Sequence, residues 1–232
     1  MERKKINTLF VILVVIIGCL FISTCKNPLI QRLTDHMYCS VCERANARCV
    51  CSSGSPAPLT YNLGDQGPGG GWIFYINPNS ATEGWTYLEA APTNVPDNST
   101  MRNWATGTGI NISGLGNGIG TGRSNTTLIL GGDPGAPAAL AADTYNINGV
   151  SDWFLPSIDE LDRMMSVLYV GGPIEGISLA ANTGGFPIGR YWSSTQSTAW
   201  NAWAIVLNNV PATSRAEDGK TLGNRVRAAR RF

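Results

Sequence analysis

SDWFLPSIDELDRM (Ser151–Met164), RYWSSTQSTAWNAWAIVL (Arg190–Leu207) and NRVRAARRF (Asn224–Phe232) stand in this order in the last third of the chain, and they set its architecture. Ser157 followed by Glu160 is a capping box: the serine oxygen accepts from the backbone N–H three residues on, and the glutamate reaches back. Pro156, just before the cap, closes off the extended segment DWFL. Ile158, Leu161, Met165 and Leu168 recur at helical spacing, which predicts an amphipathic helix ending near Gly171-Gly172. RYWSSTQ and AWNAWAIVL read as two strands with a polar connection, their tryptophans as core rather than ligand site. The third block reads as a terminal strand with Val226, Ala228 and Phe232 facing one way and arginines the other. A rigid frame carrying small, polar, tolerant stretches suggests a binding module.

Outward from these blocks, the composition is that of one folded domain preceded by an anchor. The 232 residues are 43% hydrophobic but only 14% charged, with 27 glycines, which suits an exported, loop-rich protein. Up to Cys51 there are seven basic and three acidic residues, and from Ser52 on ten and thirteen. The body is therefore slightly acidic, and no basic face supports nucleic-acid binding. Arg225, Arg227, Arg230 and Arg231 form the one cluster, read as a strand edge paired with carboxylates.

Glu2-Arg3-Lys4-Lys5 is a positive n-region and Leu9–Ile22 an apolar stretch of signal-peptide length. Ile22-Ser23-Thr24-Cys25 resembles a relaxed lipobox of the kind spirochaetes use, which would make Cys25 the lipidated first residue of the mature chain. The alternatives are an uncleaved anchor or a signal peptide cut elsewhere. Cys39, Cys42, Cys49 and Cys51 form an even, closely spaced set, read as disulfides of open connectivity in an oxidising compartment. A zinc knot with His36 is the alternative, though Cys49-Val-Cys51 is tight for a second ligand pair. Ser52–Thr60 reads as a Ser/Pro linker. The expected organisation is a signal peptide over 1–24, a lipid-anchored Cys-rich stalk and linker over 25–60, and a ligand-binding domain over 61–232.

GDQGPGGGWIFYI (Gly64–Ile76), GWTYLEAAP (Gly84–Pro92), the small-residue stretch Ala138–Tyr145, DWFLPSIDEL, YWSST, AWNAW and RVRAARRF occur in the order seen in the C-terminal domain of Legionella collagen-like proteins. The chain resembles that family over about Tyr61–Phe232. The resemblance implies an α+β fold, C-type-lectin-like or formylglycine-generating-enzyme-like, with two short helices, small antiparallel sheets and long Gly-rich loops. The pattern is also similar to variable lipoproteins diversified by retroelements, such as the treponemal variable protein. In these the diversified residues lie on a C-terminal ligand-binding face held by a tryptophan and arginine framework.

An enzyme is not expected. Formylglycine generation needs two cysteines, and from Ser52 to Phe232 there is none. The only histidine is His36, so imidazole-based catalysis and metal sites are closed to the domain. Asp159, Glu160 and Asp162 suit the positive start of a helix; Glu217 and Asp218 read as a solvated turn. The run Thr106–Arg123 lacks G-x-G-x-x-G and reads as an irregular surface loop, and Gly219-Lys220-Thr221 as a chance match to a phosphate loop. The sugar-lectin triplets Glu-Pro-Asn, Gln-Pro-Asn and Trp-Asn-Asp are absent, which argues against calcium; Asp152 beside Trp153 reads as a turn cap. No metal or cofactor is expected.

The residues left to carry function are Ser194, Gln196, Ser197, Thr198 and Asn201, with Asn208, Asn209, Thr213, Ser214, Arg215 and Asp218 on an expected loop before the last strand. Small polar residues beside aromatic anchors are the composition of paratopes. The expected function is a monomeric lipoprotein of the cell envelope or surface, whose polar face binds an extracellular protein or glycan and, by the resemblance, is diversified by a retroelement. The alternative is a structural envelope lipoprotein without a defined ligand.

Overall fold

The computed structural model describes residues 60–209 and 213–232. The expected signal segment, Cys25, Cys39, Cys42, Cys49, Cys51, His36 and most of the linker lie outside the described residues. Among the described residues the elements run β1 (Trp72–Ile76), α1 (Ser80–Glu83), β2 (Tyr87–Ala90), α2 (Gly122–Gly132), α3 (Pro137–Asp143), α4 (Ile158–Met165), β3 (Gly172–Ile174), β4 (Ile177–Leu179), β5 (Gly189–Gln196), β6 (Asn201–Leu207), β7 (Thr213–Gly219) and β8 (Ala229–Arg231). The fold is α+β, with four short helices among the described residues where two were expected, and three small antiparallel sheets, β1-β2-β8, β3-β4 and β5-β6-β7. No helix among the described residues is long and apolar enough to cross a membrane.

The first sheet joins the two ends of the domain around a buried acid. Glu89 on β2 is fully buried, accepting from Gly71 N at 2.7 Å, Gly69 N at 3.2 Å and Arg230 Nη1 at 3.3 Å. The glycines of GDQGPGGG are there because the loop wraps this carboxylate. A Cβ on Gly67 would stand 2.6 Å from Glu89 Cδ, and one on Gly71 only 2.0 Å from Ala90 O.

Helix α4 forms as its cap and period predict. Ser157 Oγ accepts from Glu160 N at 3.2 Å and Ser157 N donates to Glu160 Oε2 at 2.7 Å. Ile158, Leu161, Met165 and Leu168 are buried, and a π-helical turn over Ser166–Val170 carries the helix to Gly171. Gly171 has φ +68, and a Cβ there would stand 2.7 Å from Ala180 O, so the stop demands glycine.

The β5-β6 hairpin stands between two cores because its side chains alternate faces. Tyr191, Ile205 and Leu207 pack with α4 and Phe154; Trp192, Ala202 and Ala204 pack with Trp104, Val226 and the alanines of α3. The two fully buried indoles keep their hydrogen bonds: Trp104 Nε1 donates to Ser193 O at 2.8 Å and Trp192 Nε1 to Arg102 O at 2.6 Å.

Two expectations are corrected. The strand at the C-terminus spans only Ala229–Arg231, and its arginines do not share a solvent face. Arg227 is fully buried, donating to Asn94 Oδ1, Ala91 O, Gly184 O and Gly185 O with its guanidinium over the Phe186 ring at 4.0 Å. Only Arg230 among the four meets carboxylates, those of Glu89 and Asp152. Second, Thr213–Gly219, expected as a loop with Glu217 and Asp218 in a solvated turn, is strand β7, paired residue by residue with β6 from Asn201↔Gly219 to Leu207↔Thr213. Its sequence TSRAEDG has no apolar alternation because it is an edge strand, ordered by its neighbour's ladder rather than by a core of its own.

Candidate binding face

The residues singled out in the sequence fall at two ends of one sheet. Gln196, Ser197, Thr198, Asn201 and Asp218 lie at or beside the β5-β6 turn, whereas Asn208, Asn209, Thr213 and Ser214 lie where β6 passes to β7. Ala202–Leu207 of β6 separate Asn201 from Asn208, roughly 20 Å at strand rise. They therefore do not form one face.

Several of them are committed internally. Ser194 is fully buried and accepts from Asn125 Nδ2 at 3.1 Å, because the irregularity after Trp192 turns the strand's polar run inward beneath α2; it cannot present itself to a ligand. Asp218 is buried, accepting from Asn224 Nδ2 at 2.8 Å and from Arg190, and likewise leaves the face. Arg215 reaches across to α4, with Nη2 2.9 Å from Asp159 and 2.8 Å from Asp162. The acids at the start of α4 thus meet a guanidinium as well as the helix dipole. Asn208 and Asn209 are exposed at the far end.

The turn end is built more firmly than its composition suggests. Thr198 Oγ1 accepts from Trp200 N at 3.1 Å and Asn201 N at 3.0 Å, fixing the turn, and Ser197 Oγ donates to Glu217 at 3.0 Å. Gln196 reaches sideways to the glycine-rich loop: its Nε2 donates to Ile112 O at 2.6 Å and Asn111 Oδ1 at 2.8 Å, while its Oε1 accepts from Ile112 N at 3.2 Å. Lys220 completes the clamp. Its Nζ donates to Ile110 O at 2.6 Å and Gln196 Oε1 at 2.8 Å and lies 4.3 Å from the centre of the Trp104 ring. Burial pulls this ammonium down to about 8, opposed by the carboxylate of Asp133. At the other end of the same loop, Glu160 accepts from Gly120 N at 2.8 Å and Gly122 N at 3.4 Å. The run expected to be an irregular surface loop is pinned by two buried ionisable groups.

The large side chains left outward at this end include three apolar ones. Trp200 is 63% exposed, Leu222 55% and Met101 52%, the three most exposed large apolar side chains among the described residues. They are neighbours in the fold. Lys220 N donates to Trp200 O, Leu222 N to Gly219 O, and a Cβ on Gly223 would stand 3.2 Å from Met101 Cβ. Reading the tryptophans as core holds for Trp192 and fails for Trp200. Trp200, expected within the strand AWNAWAIVL, is seated on the turn before β6 begins at Asn201 and has no strand alternation to aim it inward. Met101 and Leu222 carried no sequence signal.

Among the described residues no group of three or more His, Cys, Asp or Glu side chains comes together as metal ligands. The arrangement offers contact surface and hydrogen bonds. No protein-family model matches the chain, and no curated protein matches it.

Proposed function

We propose that the protein is a surface-displayed lipoprotein whose C-terminal domain is C-type-lectin-like, akin to the C-terminal domain of Legionella collagen-like proteins, and binds an extracellular protein or glycan. The observation that carries this reading is the turn end of the β5-β6-β7 sheet, where the three most exposed large apolar side chains among the described residues project from adjoining backbone segments on a clamped frame. Large apolar side chains left in water on neighbouring segments of a rigid support suit a contact site. The order of the sequence blocks and an α+β fold whose first and last strands share a sheet support the lectin-like assignment. By the same resemblance, the face is one that a retroelement diversifies.

Sequencing the locus across sibling isolates tests the diversified face. Substitutions confined to the surface positions of 196–201 and 217–222 at the turn end, sparing Trp192, Lys220 and Arg227, are expected. Changes scattered evenly over the surface would refute it. Palmitate labelling lost in Cys25→Ala and kept in Cys39→Ala tests the anchor.

A further inference from the structure

The partner's character can be read from the turn end, granting that this end is the binding face. Trp200, Leu222 and Met101 project from three separate segments that converge there. Around them stand uncharged polar side chains: Asn103, Thr108, Asn111, Thr198, Asn201 and Thr221. The ionisable groups are balanced or withdrawn. Lys220 is buried under Trp104, and among the described residues the cation of Arg102 stands against two carboxylates, Glu217 bonded to Ser197 and Asp97 bonded to Ser99 and Thr100.

An apolar centre of Trp, Leu and Met, a polar rim and little net charge is the anatomy of a protein–protein contact rather than of a site for a charged ligand. Preorganisation points the same way. Thr198 holds the backbone of Trp200 and Asn201, and the Gln196–Lys220 clamp holds the loop beside them, so little ordering remains to be done on binding. Gly109 keeps the ground beside the indole low: a Cβ there would stand 3.9 Å from Trp200 Nε1.

We propose that Trp200, Leu222 and Met101 form the anchoring centre of a docking surface for a protein partner that presents an uncharged apolar patch. Its attachment is governed by apolar burial and insensitive to salt.

A random dodecapeptide phage library selected on the full chain tests this. The expected result is enrichment of uncharged sequences with aromatic and aliphatic centres. A synthetic peptide made from them should bind at least about thirtyfold more weakly to Trp200→Ala. Leu222→Ser should weaken it about tenfold, and its affinity should change less than about twofold between 50 and 500 mM NaCl. Trp200→Ala should keep the wild-type unfolding midpoint, since the side chain is mostly in water, so loss of binding is not loss of fold. Enrichment of charged peptides with steep salt dependence, no enrichment at all, or peptides indifferent to Trp200→Ala overturns the proposal. So does dimerisation of the full chain, by sedimentation, that Trp200→Ala abolishes. Capture of neutral oligosaccharides from a gluco-, galacto- and manno-configured panel, lost in Trp200→Ala, overturns the protein partner while leaving the binding-face reading intact.

Discussion

Replacing Arg227 by methionine isolates what a buried guanidinium does for this fold. The side chain is fully buried and meets no carboxylate among the described residues. Its five-donor fork instead closes onto Ala91 O and Asn94 Oδ1 at 2.9 Å, Gly184 O at 3.0 Å and Gly185 O at 3.3 Å, with Phe186 beneath it. Burial pulls the group down to about 10, which still leaves it charged at neutral pH. Methionine fills similar volume but strands these acceptors, each costing about 1–3 kcal/mol if left unpaired. The stacked cation adds about 0.5–2 kcal/mol. Relief of the buried charge offsets part of this, so the net loss should be about 3–5 kcal/mol. For a domain of this size that lowers the midpoint by roughly 10–15 °C. Arg227→Lys is the sharper variant. It keeps the charge, but a point ammonium cannot span a planar set of acceptors or stack, so it should recover less than half of the loss. Thermal and urea unfolding of the three proteins measure this. A midpoint for Arg227→Met within about 2 °C of wild type, or full recovery by lysine, would show that the fork is not what joins these segments.

Glycine substitutions should separate cleanly: Gly71→Ala drives a Cβ to 2.0 Å from Ala90 O and should prevent folding, whereas Gly107→Ala meets open space and should shift urea stability by no more than about 0.5 kcal/mol; equal effects would sink the Glu89 cage. Arg215→Ala breaks two half-exposed ion pairs, so the loss should stay under about 1 kcal/mol and vanish in high salt; a larger, salt-resistant loss in urea titrations would contradict it. Burial pushes the Glu160 carboxyl from its ordinary 4.5 up to about 7, against backbone N–H donors from Ser157, Gly120 and Gly122. The folded chain thus keeps a proton in that interval that the unfolded chain releases. This contribution favours folding most below the ordinary value and is lost as pH rises through the folded one. Wild type should therefore lose stability relative to Glu160→Gln between about pH 5 and about pH 8 in urea titrations, and parallel profiles would refute the assignment.

What was legible in the sequence is what local chemistry encodes. The capping box at Ser157 and Glu160 and the spacing of Ile158, Leu161, Met165 and Leu168 fix α4, because cap and period are properties of adjacent residues. The β5-β6 hairpin was legible from its apolar content. Strand β7 was not: TSRAEDG has the composition of a loop and becomes a strand only through β6. Arg227 shows the same limit from the other side. An arginine in a run of arginines reads as solvent-facing, and only carbonyls brought from residues 91 and 184–185 make its burial tolerable.

The site fails to show in the sequence for a related reason, and the failure bears on how such a face works. Composition ranks residues by type, so polar Ser194 and Asp218 looked presented and apolar Trp200 looked buried. The structure inverts both, because polar side chains next to a clamped turn are used to hold it. Asn125 engages Ser194, Asn224 engages Asp218, and Gln196 and Lys220 bind the glycine-rich loop. With those groups engaged internally, the most exposed large side chains at this end are Trp200, Leu222 and Met101, which on the proposed function would meet the partner. A frame built this way separates two requirements. Fixed polar residues underneath carry geometry, and outward residues that contribute little to folding can change without unfolding the domain. That division is what a tolerant binding face needs, and it locates tolerance on the side chains in water rather than on the polar residues that composition first suggests.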